Sequence, residues 1–395
     1  MCYHPEKGKV KNNMEKPLSG YRVIELAGIG PGPYAGRLLA DMGAEVIVVN
    51  RPSGSSISAA DLPSVDQRGK SSIVVDLRKD GAADIILKLV QTADILIEGN
   101  RPGVTERLGI GPKDCHAVNP KLVYGRMTGW GQDGPWAKMA GHDLNYLSIT
   151  GALHAMGKAS KPPSPPLNFV GDYGGGSLFL VSGILAALLK AEKTGQGDVV
   201  DAAIVDGVSS MMGVVYTMHA AGFWSPNRQS NLLDGAAPYY RCYETSDNKF
   251  MAIGCIEPQF FALMLSLLDL DPETYGAQND FKAWPKQHKL LEDVFVTKTR
   301  DEWSAIFDGQ DACVTPVLDY LEAVNHPQNA ARHSHKQEGH IIHPRPAPGF
   351  DSVPDEDVPD LARNGADTNR ILTDLGYSDA QQAQLKADGI AHSRS

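Results

Sequence analysis

Five short apolar runs, spaced so that a helix fits between most of them, constrain this chain more than any other feature. They are "YRVIELA" (21–27), "AEVIVVN" (44–50), "SSIVVDL" (71–77), "ADILIEG" (93–99) and "KLVYGRMTG" (121–129). Each is rich in β-branched residues and shows no polar alternation, as expected of strands buried on both faces. Between them lie helical patterns at Tyr34–Met42, which Gly43 ends, and at Asp80–Thr92. Short buried strands alternating with helices predict an α/β fold, with a parallel sheet covered by helices on both faces. Ligands of such sheets bind in the loops beyond the carboxyl ends of the strands.

Past this region the texture changes twice. "GKASKPPSPPLN" (157–168) holds too many prolines for a central strand or a helix and reads as a surface loop. "SLFLVSGILAALLKAEKTGQG" and "DGVSSMMGVVYTMHAAGFW" read as helices. From about Asp234, "APYYRCYETSDNKFMAIGCI" reads as two strands joined by the turn "SDNK", so antiparallel pairing begins there. Helical patterns follow at Phe260–Leu268 and Thr299–Phe307, and the end is helical and polar. The expected division is a leader (1–17), a large domain (18–225), a smaller α+β domain (226–330) and a segment (331–395) returning to the large domain.

At 395 residues with a net charge of -10, the chain is not expected to bind nucleic acid, although a local basic patch for one anion is compatible with that charge. Its five cysteines form no CxxC, which suits free thiols in a reducing compartment and gives no metal pattern. The polar start "MCYHPEKGKVKNNMEKPLSG" has no secretory h-region, and "AHSRS" is not a peroxisomal address. The longest apolar run, Phe179 to Leu189, is too short to cross a bilayer. The expectation is a cytoplasmic protein with no membrane association and no bound metal.

The loop "GIGPGPYAG" invites a dinucleotide reading that its details oppose. Gly28, Gly30 and Gly32 give GxGxG, but Pro33 stands where GxGxxG needs its third glycine. Asn50 and Arg51 end the second strand where an NAD site wants a carboxylate. Arg51 suits a ribose phosphate instead, of NADP or of coenzyme A. Arg101 and Arg107 follow another strand, so these arginines read as one anion site or as solvated surface. His142, in "MAGHDLNYLSITGAL", reads locally as a hydrogen-bonded cap residue or as an acid/base group, metal ligation being disfavoured because neither HxH nor HExxH is present, and Asp143 reads as an N-cap. Asp172 and Glu257 likewise have plain readings, as a helix cap and a turn carboxylate. The triple glycine after Asp172 suits close backbone approach to a ligand. Met139, Met156, Met211 and Met212 read either as an adaptable apolar surface or as core fillers.

Taken together and in order, "LSGYRVIELAGIGPGPYAGRLLADMGAEVIVV", "RPGVTERLGIGP", "RMTGWGQDGPW", "AGHDLNYL", "GDYGGGSLFL", "LDGAAPYYRCYET", "GCIEPQF", "FDGQDACVTPVL" and "PRPAPGF" resemble the α-methylacyl-CoA racemases of the family III CoA-transferase superfamily. The resemblance leaves out only about the first seventeen residues. It implies a Rossmann-like large domain, a small domain and an interlocked homodimer. It also implies an enzyme that inverts the carbon next to a CoA thioester, often a methyl-branched one, with no cofactor beyond the CoA of its substrate. Carried over by position, His142 and Asp172 are the acid/base pair, and Glu257 is the carboxylate that pairs with the histidine. Arg51, Val74, Val75, Asp76, Leu77, Glu98, Gly99, Asn100, Arg101 and Arg107 match positions lining the CoA groove. Lys138, Met139, Ala140, Gly141 and Asp143 flank the histidine as further groove residues.

An α-proton beside a thioester is weakly acidic, so inversion through an enolate needs one proton-transfer group on each face. A family III CoA transferase is the nearest rival: Asp172 would then be a nucleophile forming an acyl anhydride, with no histidine required at position 142. An NADP-dependent reductase is a rival from another class. The tail "GADTNR" departs from relatives, which often carry a glycine, an acidic residue and a histidine there. The motifs leave the acyl group open among branched fatty acyl, bile-acid precursor and arylpropionyl thioesters.

Overall fold

The structure, a computed structural model, describes residues 16–52, 64–353 and 359–393. The expected leader therefore lies outside the described residues except for Lys16 and Pro17. The chain forms two compact units. The first comprises the described residues of Met1–Tyr146, Asn168–Val208 and His335–Ser395, and the second comprises Leu147–Leu167 and Ser209–Ser334. Residues 147–167 and 209–225, expected in the large domain, thus fall in the second unit.

The five apolar runs form parallel strands β1 (Arg22–Leu26), β2 (Glu45–Asn50), β3 (Lys70–Val75), β4 (Ile95–Glu98) and β5 (Val123–Thr128). A sixth, β6 (Asp198–Ala203), pairs in parallel with β5; its sequence "DVVDAA" carries two aspartates in six residues and was not expected as a strand. The sheet order is β3-β2-β1-β4-β5-β6, with a two-residue strand Ala391–His392 antiparallel on the outer edge of β3. Chain order reverses between β1 and β4, so the loops after these two strands flank the crevice where such sheets bind ligands.

Helix α1 (Pro31–Asp41) begins three residues before the expected Tyr34. Pro31 opens it, and in the first turn a proline sacrifices no hydrogen bond, because those N–H groups have no intrahelical partner. Helix α2 (Ala82–Gln91) turns Ile85, Ile86, Leu89 and Val90 into a core shared with Ile24, Val49, Ile73 and Leu96. Helix α3 (Val104–Arg107), helix α4 (Pro112–Val118) and helix α5 (Asp143–Ile149) follow. A π-helical stretch, Phe169–Leu178, runs directly into α6 (Phe179–Thr194), which Gly195 ends in the left-handed region at φ 72°. The continuous 26-residue helix is long and apolar enough to cross a membrane, unlike the shorter run read from the sequence. Here its residues Leu180, Ile184 and Leu188 are buried, and it packs along β5 and β6. The C-terminal segment returns along β3: Ser72 N–H donates to Asp367 Oδ2 at 2.9 Å, and Asp367 N–H donates to the Ser72 carbonyl at 3.0 Å.

In the second unit, β7 (Tyr240–Glu244) and β8 (Phe250–Gly254) form the expected antiparallel pair, and β9 (Val314–Val317) adds a third strand. Helices Pro258–Leu267, Trp284–Phe295 and Arg300–Phe307 cover it over a core that includes Tyr243, Phe295 and Trp303. The proline-rich loop is neither strand nor α-helix. Arg228 holds it, donating to the carbonyls of His154, Lys158 and Lys161 at 2.9–3.1 Å.

Candidate active site

At the carboxyl ends of β1 and β4 the first unit encloses a cavity of about 990 Å³. Its walls come from the glycine-rich loop after β1, from Asn50 and Arg51 after β2, and from Gly99 to Pro102 after β4. His142 and Asp172, thirty positions apart in sequence, both line it. Ala362 and Asn364 of the returning C-terminal segment complete it.

Asp172 sits in the first turn of the π-helical stretch, a rare backbone form found mostly at functional sites. Of the three glycines after Tyr173, Gly175 and Gly176 stand where space is short. A Cβ on Gly175 would strike Val208, and one on Gly176 would press on Ile204 and Met127. Ser177 locks the turn, its hydroxyl donating to the carbonyls of Pro31 at 2.8 Å and Asp172 at 3.1 Å. Across the cavity floor Gly30 adopts φ 68°, ψ -114°, a conformation open to glycine alone. A Cβ there would come within 2.9 Å of Asp172 Oδ2. The GxGxG loop that resembles a phosphate loop is therefore shaped around a carboxylate side chain. Burial pushes the Asp172 carboxyl up to about 6, the nearby charge of Asp143 adds to the shift, and His142 opposes it.

His142 is solvent-exposed and sits one residue before α5. Its backbone is fixed rather than its ring. His142 N–H donates to Asn145 Oδ1 at 3.1 Å, and the Tyr146 hydroxyl donates to the Gly141 carbonyl. Trp130 stands edge-on to Tyr146 with centroids 4.7 Å apart. Side chains at Gly129 or Gly141 would collide with these rings, so "TGWG" and "AGHD" are glycine-bearing to let the aromatic bracket close.

Of the positions assigned to the CoA groove, Arg51, Gly99, Asn100, Arg101, Met139, Ala140 and Gly141 line this cavity, and Arg51 Nη2 lies 3.5 Å from Asn100 Oδ1. Several other positions do not. Val74 and Val75 are buried core residues of β3, paired with His392 and Ala391. Asp76 binds Arg78 through both carboxylate oxygens at 2.9 Å, and Leu77 packs on the core under α2. Glu98, 2% exposed, turns inward: its Oε2 accepts Asn100 N–H at 2.6 Å and its Oε1 lies 3.7 Å from Arg126 Nε. Arg107, Lys138 and Asp143 do not line the cavity either. Glu257 belongs to the second unit, directly before Pro258 at a helix N-terminus. Among the described residues no group of three or more His, Cys, Asp or Glu could hold a metal ion.

Residues 18–353 match the model of CoA-transferase family III. The chain belongs to this family. It is 42% identical to the α-methylacyl-CoA racemase of Mus musculus over 382 residues, covering 95% of this chain and 98% of that protein. It is 40% identical to the α-methylacyl-CoA racemase of Homo sapiens over 380 residues, with 95% and 98% covered. The acetyl-CoA:oxalate CoA-transferase of Acetobacter aceti is 30% identical over 351 residues, covering 83% and 87%. Among solved structures, a CaiB/BaiF family protein from Brucella suis superposes with a TM-score of 0.78 at 26% identity, covering 92% of this chain and 100% of that one.

Within this family III chain, reading by motif missed three contributors. The loop Gly28–Gly32 was weighed only as a nucleotide signal, yet it walls the site and approaches Asp172. Trp130 and Tyr146 sit in quoted motifs without a role, although glycine beside an aromatic signals tight ring packing. Ala362 and Asn364 come from the tail, whose return to β3 depends on pairings hundreds of residues apart. Met139 and Met127 line the cavity, whereas Met156, Met211 and Met212 belong to the second unit.

Proposed function

We propose that this protein is an isomerase that inverts the α-carbon of 2-methylacyl-CoA thioesters by 1,1-proton transfer through an enolate. What supports the reading above all is that His142 and Asp172 share one cavity with Arg51 and Arg101, in a chain about two-fifths identical to named racemases. Neutral His142 takes the α-proton of one enantiomer, leaving an enolate, and protonated Asp172 returns a proton to the other face. In the reverse direction the carboxylate takes and the imidazolium gives. An Asp172 carboxyl held near 6 suits this exchange, since catalytic groups work best with proton affinities near the working pH. Arg51 and Arg101 supply cations for the phosphates of the CoA moiety. Glu257 is assigned to the histidine by resemblance alone, and Glu257→Gln should slow turnover if that assignment is right. No resident cofactor is invoked. The assembly proposed is a cytoplasmic homodimer, for which exposed Phe169, Leu178, Phe179 and Leu189 offer apolar surface; light scattering tests the stoichiometry.

The deciding experiment is isotopic. In deuterated water, (R)- or (S)-2-methylacyl-CoA should gain α-deuterium and lose optical purity with no acceptor acid present. Strict dependence on an acceptor acid would sink the racemase reading and favour a CoA transferase in which Asp172 forms an acyl anhydride.

A further inference from the structure

Asp143 stands beside His142 in sequence and reads as an ordinary helix cap, but its side chain is spent elsewhere. It is 8% exposed and does not line the cavity. Its Oδ1 accepts the backbone N–H of Asp172 at 2.6 Å. A Cβ on Gly171 would run into that carboxylate, so this contact is open only to glycine at position 171. Oδ2 is buried with no hydrogen-bond partner in the protein, and burial pushes the Asp143 carboxyl up, against the pull of the Asp172 N–H.

We propose that Asp143 is a positioning residue for the proton-transfer pair: it ties the segment carrying Asp172 to the segment carrying His142 and sets a negative charge beside the Asp172 carboxyl. The inference rests on the reading of His142 and Asp172 as that pair. The positioning half rests on the bond itself: a charge-assisted bond from a backbone N–H fixes where the Asp172 Cα sits. The same bond holds the Asp143 carboxylate against the Asp172 backbone, where its charge disfavours a second one on the Asp172 side chain. The other groups acting on Asp172 are His142 and Asn168; Tyr146 beside it also feels Arg101, and Tyr173 also feels Asn168, Asp66 and Arg37. Burial raises both tyrosines, so they stay neutral near pH 7. Asp143 is thus the anion that disfavours ionised Asp172, while His142, when charged, favours it.

Three variants of the full chain separate position from charge. Asp143→Asn keeps an acceptor for Asp172 N–H and removes the charge, Asp143→Ala removes both, and Gly171→Ala keeps the charge but displaces it. The first readout is the titration of the Asp172 carboxyl by 13C NMR, assigned by its loss in Asp172→Asn. In Asp143→Asn its midpoint should fall by about 0.5–1 pH unit, and the limbs of the kcat/KM profile should move the same way. In Asp143→Ala and Gly171→Ala, kcat should drop about tenfold or more with KM within about twofold, while circular dichroism shows a folded chain. An Asp172 midpoint identical in wild type and Asp143→Asn, or wild-type kcat in Asp143→Ala, would overturn the proposal. The NMR titration needs no turnover. Absence of α-deuterium in the wild type would therefore reject the racemase reading by itself, leaving the titration to decide on Asp143.

Discussion

Lys70 and Glu25 reach across the strand between them to form an ion pair, Nζ to Oε2 at 2.6 Å, with side chains 0% and 1% exposed. Lys70 also donates to the Pro33 carbonyl at 2.9 Å, and Gly36 leaves the space that the Glu25 carboxylate fills. The pair thus ties the sheet to the first turn of α1 and to the glycine-rich loop that walls the cavity. Burial pushes Glu25 up, against the pull of Lys70. Removing the cation strands a buried carboxyl, so Lys70→Met should cost about 3–5 kcal/mol in urea unfolding near neutral pH. Without Lys70 the folded-state affinity of Glu25 for a proton rises further above its unfolded value of 4.5. The penalty should therefore be small below that pH and grow as pH rises above it. An equal loss at pH 4 and pH 8 would assign the effect to packing instead.

His142→Ala and Asp172→Asn should separate exchange from inversion. Each variant keeps one proton-transfer group, so each should still wash α-deuterium into the enantiomer facing that group, with retention. Racemisation needs both groups and should fall by about 10³-fold or more in either variant. Chiral analysis of the thioester alongside mass spectrometry checks this. A single variant that racemises normally would show that its residue is not one of the pair.

Much of the sheet was legible because its strands are buried on both faces, so β-branched runs had no competing explanation. β6 was not: "DVVDAA" carries two aspartates, and only its partner β5 makes it a strand. The cavity was legible where loops follow strands directly, at Arg51 and at Gly99 to Arg101. It failed at Val74 to Leu77, because matching a position does not say which side of a strand end carries it. Here Ile390 to His392 pair along that strand and its end. Asp143 shows a different limit. A carboxylate at the start of a helix fits a cap by local rules, and nothing local announces an N–H donor 29 residues away.

The pH dependence of turnover should be bell-shaped and the same for both enantiomers. The active form of the pair holds one proton, either on Asp172 or on His142, and these arrangements belong to one macroscopic state. Adding a proton on the acid side leaves no base, and losing the last on the alkaline side leaves no acid. The carboxyl raised to about 6 places the Asp172 transition well above the ordinary carboxylate range. A raised acid is also a stability statement: its contribution is complete below the unfolded value of 3.8 and is lost as pH rises through about 6. Asp172→Asn should accordingly unfold at higher temperature than wild type at pH 7.5, with the difference shrinking toward pH 4. Profiles that differ between enantiomers would contradict a single shared proton.

Glu98 anchors the loop that presents Asn100 and Arg101 to the cavity. Its Oε2 holds Asn100 N–H at 2.6 Å, while Arg126 behind it also bonds Gln132 at 2.5 Å and Glu106. Burial pushes Glu98 up to about 7, with the Asn100 N–H and Arg126 pulling the other way. Glu98→Ala removes the acceptor and frees the loop, so KM for acyl-CoA should rise about tenfold with kcat within about threefold, as expected when binding that is uniform along the reaction is lost. Glu98→Gln keeps an acceptor and should raise KM less. The raised carboxyl contributes stability that is complete below 4.5 and lost as pH rises through about 7. Relative to wild type, Glu98→Gln should therefore gain melting temperature steadily from pH 4.5 to pH 7.5. A difference that stays constant over this range, or a kcat that falls in step with kcat/KM, would show that Glu98 does not act as a buried loop anchor of raised proton affinity.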